Sequence, residues 1–138
     1  MKRIALLVVA LMFIVASVAY AKTIVGSNDS ETLIGTSGPD TISGRGAWDV
    51  VEGKRGSDEL HGNAGPDEVY GGRGRDTVYG GPGRDQLGGD QGGDTIKAKD
   101  GQHDYILCGA GFDVAWMDAR DAAQMCEIVN DKEFVIGK

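Results

Sequence analysis

Residues 35–97 are seven consecutive copies of one nine-residue unit, with no insertion between copies. Position one is Gly in all seven copies and position four is Gly in six, with Ala47 as the exception. Position six is Asp and position eight is aliphatic in every copy. The sixth-position residues are Asp40, Asp49, Asp58, Asp67, Asp76, Asp85 and Asp94. A fixed short period predicts a solenoid, in which each repeat packs mainly on its neighbours.

Each unit divides into a turn and a strand. Positions one to six favour a turn, because Gly reaches backbone conformations with φ > 0. Positions seven to nine read polar, aliphatic, polar, which predicts a three-residue strand with one buried side chain. Two units then make one coil, and Asp residues eighteen positions apart lie above one another. We expect a first column of Asp40, Asp58, Asp76 and Asp94, and a second column of Asp49, Asp67 and Asp85.

Stacked columns of carboxylates indicate a cation site. Successive strands lie about 4.8 Å apart, so bare carboxylates at that spacing repel each other. Calcium takes six to eight oxygen ligands in a flexible arrangement, and Asp carboxylates with Gly-turn carbonyls supply such oxygens. Magnesium requires a tighter octahedron, and zinc favours His or Cys, of which the seven copies contain only His61. The pattern therefore predicts calcium between successive turns.

The seven units resemble the GGxGxDxUx nonapeptide repeats of the RTX, or hemolysin-type, calcium-binding family. The second Gly of that motif is present in two copies, at Gly72 and Gly81. The resemblance implies an all-β fold, a right-handed parallel β-roll, with Ca²⁺ held by the sixth-position Asp residues and turn carbonyls. It also implies that calcium drives folding, and we expect disorder without calcium because Gly- and Asp-rich tracts bury little apolar surface.

The repeat pattern continues imperfectly on both sides, which predicts a β-roll over residues 22–116. Residues 26–34 form a degenerate unit with Glu31 in the Asp place, so Glu31 is a weaker candidate ligand. After Lys97 the next acid, Asp104, arrives one residue late, which indicates a one-residue bulge. Asp104 and Asp113 are therefore weaker candidates that extend the second and first columns.

Residues 1–21 read as a secretory signal peptide. Lys2 and Arg3 precede an apolar run over residues 4–18, and Ala19-Tyr20-Ala21 provides a small-x-small cleavage site. The alternative is an uncleaved membrane anchor. Cleavage predicts a secreted, extracellular protein, where calcium modules of millimolar affinity are filled. No later segment is apolar enough to span a membrane.

Residues 117–138 lack the repeat and are predicted to form a small C-terminal cap. Residues 118–125 suggest a short helix or turn with Asp118 as a possible N-cap, and residues 127–129 and 133–136 suggest two strands. Cys108 and Cys126 are the two cysteines of the chain, and in a secreted protein they predict a disulfide that ties the cap to the last coil. Free thiols or a metal-binding pair are the alternatives.

The sequence suggests a binding or structural protein and not an enzyme. The net charge of −7 becomes −9 when the two cations of the signal segment are removed, which argues against a nucleic-acid partner. His61 and His103 are the two near-neutral bases, and neither stands beside a recognisable nucleophile. Basic residues in the turns, such as Arg73, Arg75 and Arg84, leave open an adhesin that binds cell-wall or matrix polysaccharide. A small secreted hydrolase that uses a histidine is a third hypothesis.

Overall fold

The computed structural model describes residues 20–130 as a parallel β-solenoid without a helix. Its thirteen strands are β1 Lys22–Val25, β2 Thr32–Ile34, β3 Asp40–Gly46, β4 Val50–Arg55, β5 Glu59–Ala64, β6 Glu68–Arg73, β7 Thr77–Tyr79, β8 Gln86–Gln91, β9 Thr95–Lys97, β10 Tyr105–Ala110, β11 Val114–Trp116, β12 Ala122–Gln124 and β13 Ile128–Asn130. The predicted signal segment lies almost entirely outside the described residues, as do residues 131–138 of the predicted cap.

The strands alternate between two parallel sheets. The first sheet has the order β1-β3-β5-β7-β9-β11-β13, and the second has the order β12-β10-β8-β6-β4-β2. Register within the repeats is eighteen residues, as in the pairs Leu60↔Val78 and Val51↔Val69. The prediction of two repeats per coil is therefore confirmed.

Aliphatic side chains, one from each repeat and from the two sheets in turn, fill the space between the sheets. The seven eighth-position residues are at most 1 % exposed, as the alternation predicts: Ile42, Val51, Leu60, Val69, Val78, Leu87 and Ile96. Ile106, Ala115 and the Cys108–Cys126 pair continue this core towards the C-terminus. Since each repeat contributes one such side chain, the core is narrow and no repeat can bury it alone.

Several strands are longer than the predicted three residues. β3 to β6, β8 and β10 run on through the first three positions of the following repeat. Position two then adopts positive φ, and Arg45, Lys54, Asn63 and Asp90 all do so without being Gly. Side chains other than Gly are strained in this region, typically by about 1–3 kcal/mol each. The missing second glycines therefore lower the stability of the folded roll.

The end of the solenoid differs from the sequence-based expectation. Of the helix or turn predicted over residues 118–125, the structure has the turn, at residues 119–120, and not the helix. The turn leads into β12, which pairs with β10. β13 pairs with β11 in the same way, so the stacking continues beyond Met117. The pattern of a carboxylate followed two residues later by an aliphatic side chain persists at Asp121 and Glu127, which explains these last coils.

The predicted disulfide is present. Cys108 lies in β10 and Cys126 follows β12, with 5.1 Å between their Cα atoms. Closing a loop of this length contributes about 3 kcal/mol in the chain-entropy account. The link fastens the last coils to the body of the roll. Within residues 20–130, no helical segment has the length and hydropathy that a membrane span requires.

Candidate metal centre

The sixth-position Asp residues stand at the start of the strands, and their carboxylates form two internal columns, one along each sheet. In the first column, the backbone N–H of Asp40, Asp58 and Asp76 each donates to Oδ1 of the Asp eighteen residues later, at 2.7–2.8 Å. Asp49 and Asp67 in the second column repeat this bond at 2.8 Å. Each carboxylate therefore joins its own coil to the previous one, and the predicted vertical alignment of the acids is observed.

Both columns extend to acids that the repeat pattern marks only weakly. The N–H of Asp85 donates to Asp104 and that of Asp94 donates to Asp113, both at 2.8 Å and nineteen residues apart. This spacing confirms the one-residue bulge, in which His103 is exposed. Asp121 and Glu127 accept the next two bonds, from Asp104 and Asp113. Sequence reasoning missed these last two as column members because seventeen- and fourteen-residue spacings break the period.

Each column aspartate is nearly inaccessible to water yet has an unsatisfied oxygen. The nine from Asp40 to Asp113 are at most 3 % exposed. Among the described residues, eight of them keep an Oδ2 atom with no hydrogen-bond partner: Asp49, Asp58, Asp67, Asp76, Asp85, Asp94, Asp104 and Asp113. A buried unsatisfied polar group costs roughly 1–3 kcal/mol, and more when it is charged. Eight in one small domain indicate a missing partner rather than chance.

Asp40 and Glu31 are different, because neighbouring hydroxyl residues satisfy them. Thr36 donates its N–H to Asp40 Oδ2 at 2.5 Å and adds a hydroxyl contact at 2.9 Å. Ser27 donates its N–H to Glu31 Oε2 at 2.7 Å and its hydroxyl to Oε1 at 3.1 Å. The structure therefore groups Asp104 and Asp113 with the central aspartates and sets Asp40 apart with Glu31.

The free oxygens meet glycine carbonyls of the next coil. A Cβ atom built on Gly53 would lie 2.5 Å from both Asp58 Oδ2 and the Gly71 carbonyl oxygen. At Gly62, the same point lies 2.6 Å from Asp67 Oδ2 and 2.8 Å from the Gly80 carbonyl oxygen. We call each such arrangement a cradle. It is formed by a first-position Gly, the Oδ2 atom five residues later and the first-position carbonyl oxygen of the next coil, eighteen residues after the Gly, or nineteen for Gly89 because of the bulge.

In five cradles the Oδ2 atom is unpartnered and both oxygens lie within 2.9 Å of the point where a Cβ would stand; their glycines are Gly44, Gly53, Gly62, Gly71 and Gly89. Gly35 has the same arrangement, but Thr36 already satisfies its Asp40 Oδ2 atom. This explains why position one is Gly in every copy: a side chain there would occupy the space between the two oxygens. In the last coils Ala98 and Cys108 stand at position one, so a side chain replaces the glycine there.

Burial makes the ionised form of these carboxyls costly. Desolvation raises the pKa of Asp58 and Asp67 to about 6, and that of Asp85 to about 7. Backbone hydrogen bonds from the previous coil oppose the rise, and charges of other carboxylates add to it. Desolvation by burial is also the main reason why the pKa of Asp94 is raised to about 7 and that of Asp104 to about 6. A bound cation would reverse the cost, because it favours the charged form.

The donors fit calcium. Within residues 20–130, no three His, Cys, Asp or Glu side chains come together as a metal-binding group, so any ion here must also use backbone oxygens. Carboxylate and carbonyl oxygens are the ligands of Ca²⁺, which tolerates irregular geometry. Zinc would require nitrogen or sulfur ligands, and both cysteines are in the disulfide.

Filling one cradle should remove one ion. Gly71→Ala places a methyl group 2.5 Å from Asp76 Oδ2 and 2.9 Å from the Gly89 carbonyl oxygen, so we expect calorimetry to count one calcium fewer. Overpacking should also cost about 1–3 kcal/mol of stability in calcium. Gly46→Ala is the matched control, because its nearest neighbours would be at 3.5 and 3.7 Å. Equal calcium counts and stabilities for the two variants would contradict the cradle assignment.

Comparison with known proteins identifies the repeat family. The family model, described as four copies of the RTX calcium-binding nonapeptide repeat, matches residues 25–60 and again residues 61–96. These ranges cover more than half of the chain and contain the five cradle glycines. No curated protein and no solved structure matches the chain. The chain therefore belongs to the RTX calcium-binding nonapeptide repeat family.

Proposed function

We propose that this chain is a secreted calcium-binding module whose fold depends on calcium held between successive coils. The observation that carries the proposal is the set of eight buried Oδ2 atoms without partners. Asp49, Asp58, Asp67, Asp76 and Asp94 would hold the ions together with the glycine or Cys108 carbonyls that complete their cradles. Bound calcium supplies positive charge to the buried carboxylates. We expect about five ions, one for each cradle.

Secretion would bring the chain to a compartment where calcium is available for folding. The basic start, the apolar run and the Ala-x-Ala site of residues 1–21 support export, and extracellular calcium is abundant enough to fill sites of about 10⁻⁴–10⁻³ M affinity. In a calcium-poor cytosol the uncompensated carboxylates would oppose folding. The module would therefore fold after export, in the compartment where its disulfide also forms.

A calcium titration followed by circular dichroism tests this function. The chelated chain at pH 7.5 should give a coil spectrum, and millimolar calcium should convert it to a β spectrum, because metal binding and folding share one free energy. Magnesium at the same concentration is the matched control and should be much less effective. If the chelated spectrum already equals the calcium spectrum, calcium is not coupled to folding and the proposal fails.

The second function that the sequence leaves open is an adhesin that binds polysaccharide through basic turns. The structure does not favour this surface, because the basic turns do not share one side. Arg75 precedes Asp76 of the first column, whereas Arg84 precedes Asp85 of the second. Arg73 ends β6, in the second sheet. The basic turns therefore do not form one continuous surface for a polysaccharide.

A further inference from the structure

The outer face of the first sheet carries a row of ninth-position side chains in direct register. His61 pairs with Tyr79, Tyr79 with Lys97, and Lys97 with Trp116. The His61 and Tyr79 rings stack at 4.4 Å with 6° between their planes. From the next coil, Lys97 Nζ lies 4.6 Å from the Tyr79 ring centroid and donates to Tyr79 Oη at 3.1 Å. The row therefore orders aromatic and cationic groups along the roll.

A groove of about 500 Å³ opens beside the C-terminal half of this row. Tyr79, Ala98 and Trp116 contribute its apolar surface, and Trp116 is 45 % exposed. Lys97, Lys99 and Asp100 contribute its polar groups. A groove with aromatic sides and a few convergent polar groups is the usual form of a small-molecule or sugar-binding site.

The charge of the groove contrasts with that of the opposite face. On the second sheet, burial and then Glu68, Asp90 and Glu52 raise the pKa of Tyr70. The lysine beside it, Lys54, is paired with Glu52, so carboxylates outnumber cations there. The groove instead brings together two lysines and one aspartate in a chain of net charge −7. An anionic ligand is therefore complementary to the groove and is repelled by the other sheet.

The groups in the groove match a sugar that carries a carboxylate. The C–H faces of a pyranose ring pack on exposed aromatic rings such as Trp116, and a uronate carboxylate pairs with a lysine ammonium. Asp100 is held in place by the N–H groups of Gly83 at 3.1 Å and Gln102 at 2.7 Å, so its carboxylate can accept from ring hydroxyls. The row continues along the roll, which gives an extended chain room beyond the groove.

We propose that this groove binds a polysaccharide containing uronic acid. The inference rests on the proposed function, because the residues of the groove come from coils that only the folded roll brings together. It places the ligand on the first sheet and away from the arginine-bearing turns. Tyr79, Lys97 and Trp116 would provide the contacts to the sugar.

Fluorescence of Trp116 tests the proposal. The chain has two tryptophans, and Trp48 lies in a turn of the second column, so Trp48→Phe leaves Trp116 as the reporter. The calcium-loaded protein is titrated with a tetrasaccharide of alternating glucuronate and N-acetylglucosamine. A tetrasaccharide of N-acetylglucosamine alone is the matched neutral probe. We expect a saturating change with the acidic probe and binding at least about tenfold weaker with the neutral one.

Variants identify the contacts. Binding of the acidic probe, followed by calorimetry, should weaken at least about tenfold in Lys97→Met and Trp116→Ala, and should be unchanged in the Arg73, Arg75 and Arg84 triple alanine variant. Circular dichroism and calcium counts of each variant should match the parent, which separates failure of the groove from failure of calcium-dependent folding. No saturation with the acidic probe, equal binding of both probes, or loss of binding only in the arginine variant would each overturn the proposal.

Discussion

Chelated protein should lose its β structure at about pH 8 and regain it at about pH 5. Without metal, the column carboxyls can be accommodated in the folded state only if most are neutral. Their pKa values in the folded chain are raised by burial, to about 6 for Asp58, Asp67 and Asp104 and about 7 for Asp85 and Asp94. The ordinary Asp value of 3.8 is the reference for the unfolded chain.

The sign of the pH dependence follows from proton binding. Between pH 4 and 7, the metal-free folded state binds more protons than the unfolded state, so its stability falls as pH rises through this window. Below the unfolded pKa values the full stability of the protonated roll is present, and above the folded values it is lost. Calcium takes the place of the protons, so the calcium-loaded roll should remain folded at pH 8 and lose its ions as the solution is acidified.

Circular dichroism in chelator across this pH range measures the effect, at low protein concentration because the sequence pI is about 4.7. As a second readout, calcium added near pH 6.5 in weak buffer should release protons. A chelated chain that is as folded at pH 8 as at pH 5, or less folded at pH 5, would show that the column carboxyls are not the groups that oppose folding.

Asp67→Asn should have opposite effects on the two states of the protein. In the metal-free state the new amide is neutral and can donate to the Gly80 carbonyl oxygen, which borders the same cradle as Asp67 Oδ2. Its amide oxygen can still accept from the N–H of Asp49. We therefore expect the chelated variant to gain about 1–3 kcal/mol, the usual cost of a buried unsatisfied polar group. In calcium the variant should bind one ion fewer, because it loses a charged ligand.

Glu31→Gln is the matched control for Asp67→Asn. Both Glu31 oxygens already accept bonds from Ser27, so neutralising Glu31 removes no unsatisfied oxygen. Urea unfolding in chelator and calorimetric calcium counts compare the two variants. Two results would contradict this account: Asp67→Asn destabilises the chelated chain, or Glu31→Gln lowers the calcium count as much as Asp67→Asn does. Either would show that the unsatisfied Oδ2 atoms of the central aspartates are not the calcium ligands. For the same reason Asp67→Ala should weaken calcium binding more than Glu31→Ala.

The repeat allowed much of this fold to be predicted, because its period fixes the register. Eighteen residues per coil place Val69 over Val51 and Asp67 over Asp49, and no other information is needed. The bulge before Asp104 could also be predicted, because the following Ile106 keeps the interval between the acid and the aliphatic residue. These features depend on local spacing, which the sequence contains directly.

Features that depend on side-chain contacts could not be predicted in this way. The pattern ranked Asp40 with the other repeat aspartates, but the Thr36 hydroxyl that satisfies it is a contact within one turn. It also ranked Asp104 and Asp113 lower, although their Oδ2 atoms are as unsatisfied as those of the central members. Spacing places His61 on the outer face of its strand, but it does not show that the ring stacks on Tyr79 of the next coil.

The central claim is that calcium ions join successive coils through the buried Oδ2 atoms of the two columns. A crystal structure of the calcium-loaded protein, with anomalous scattering used to locate the ions, tests this claim most directly. The account predicts two lines of calcium peaks inside the turns, with peaks in one line about 4.8 Å apart and bonded to residues such as Asp58, Asp67 and Asp76 at about 2.3–2.6 Å. Peaks confined to exposed carboxylates, with the column oxygens still unpartnered, would contradict it.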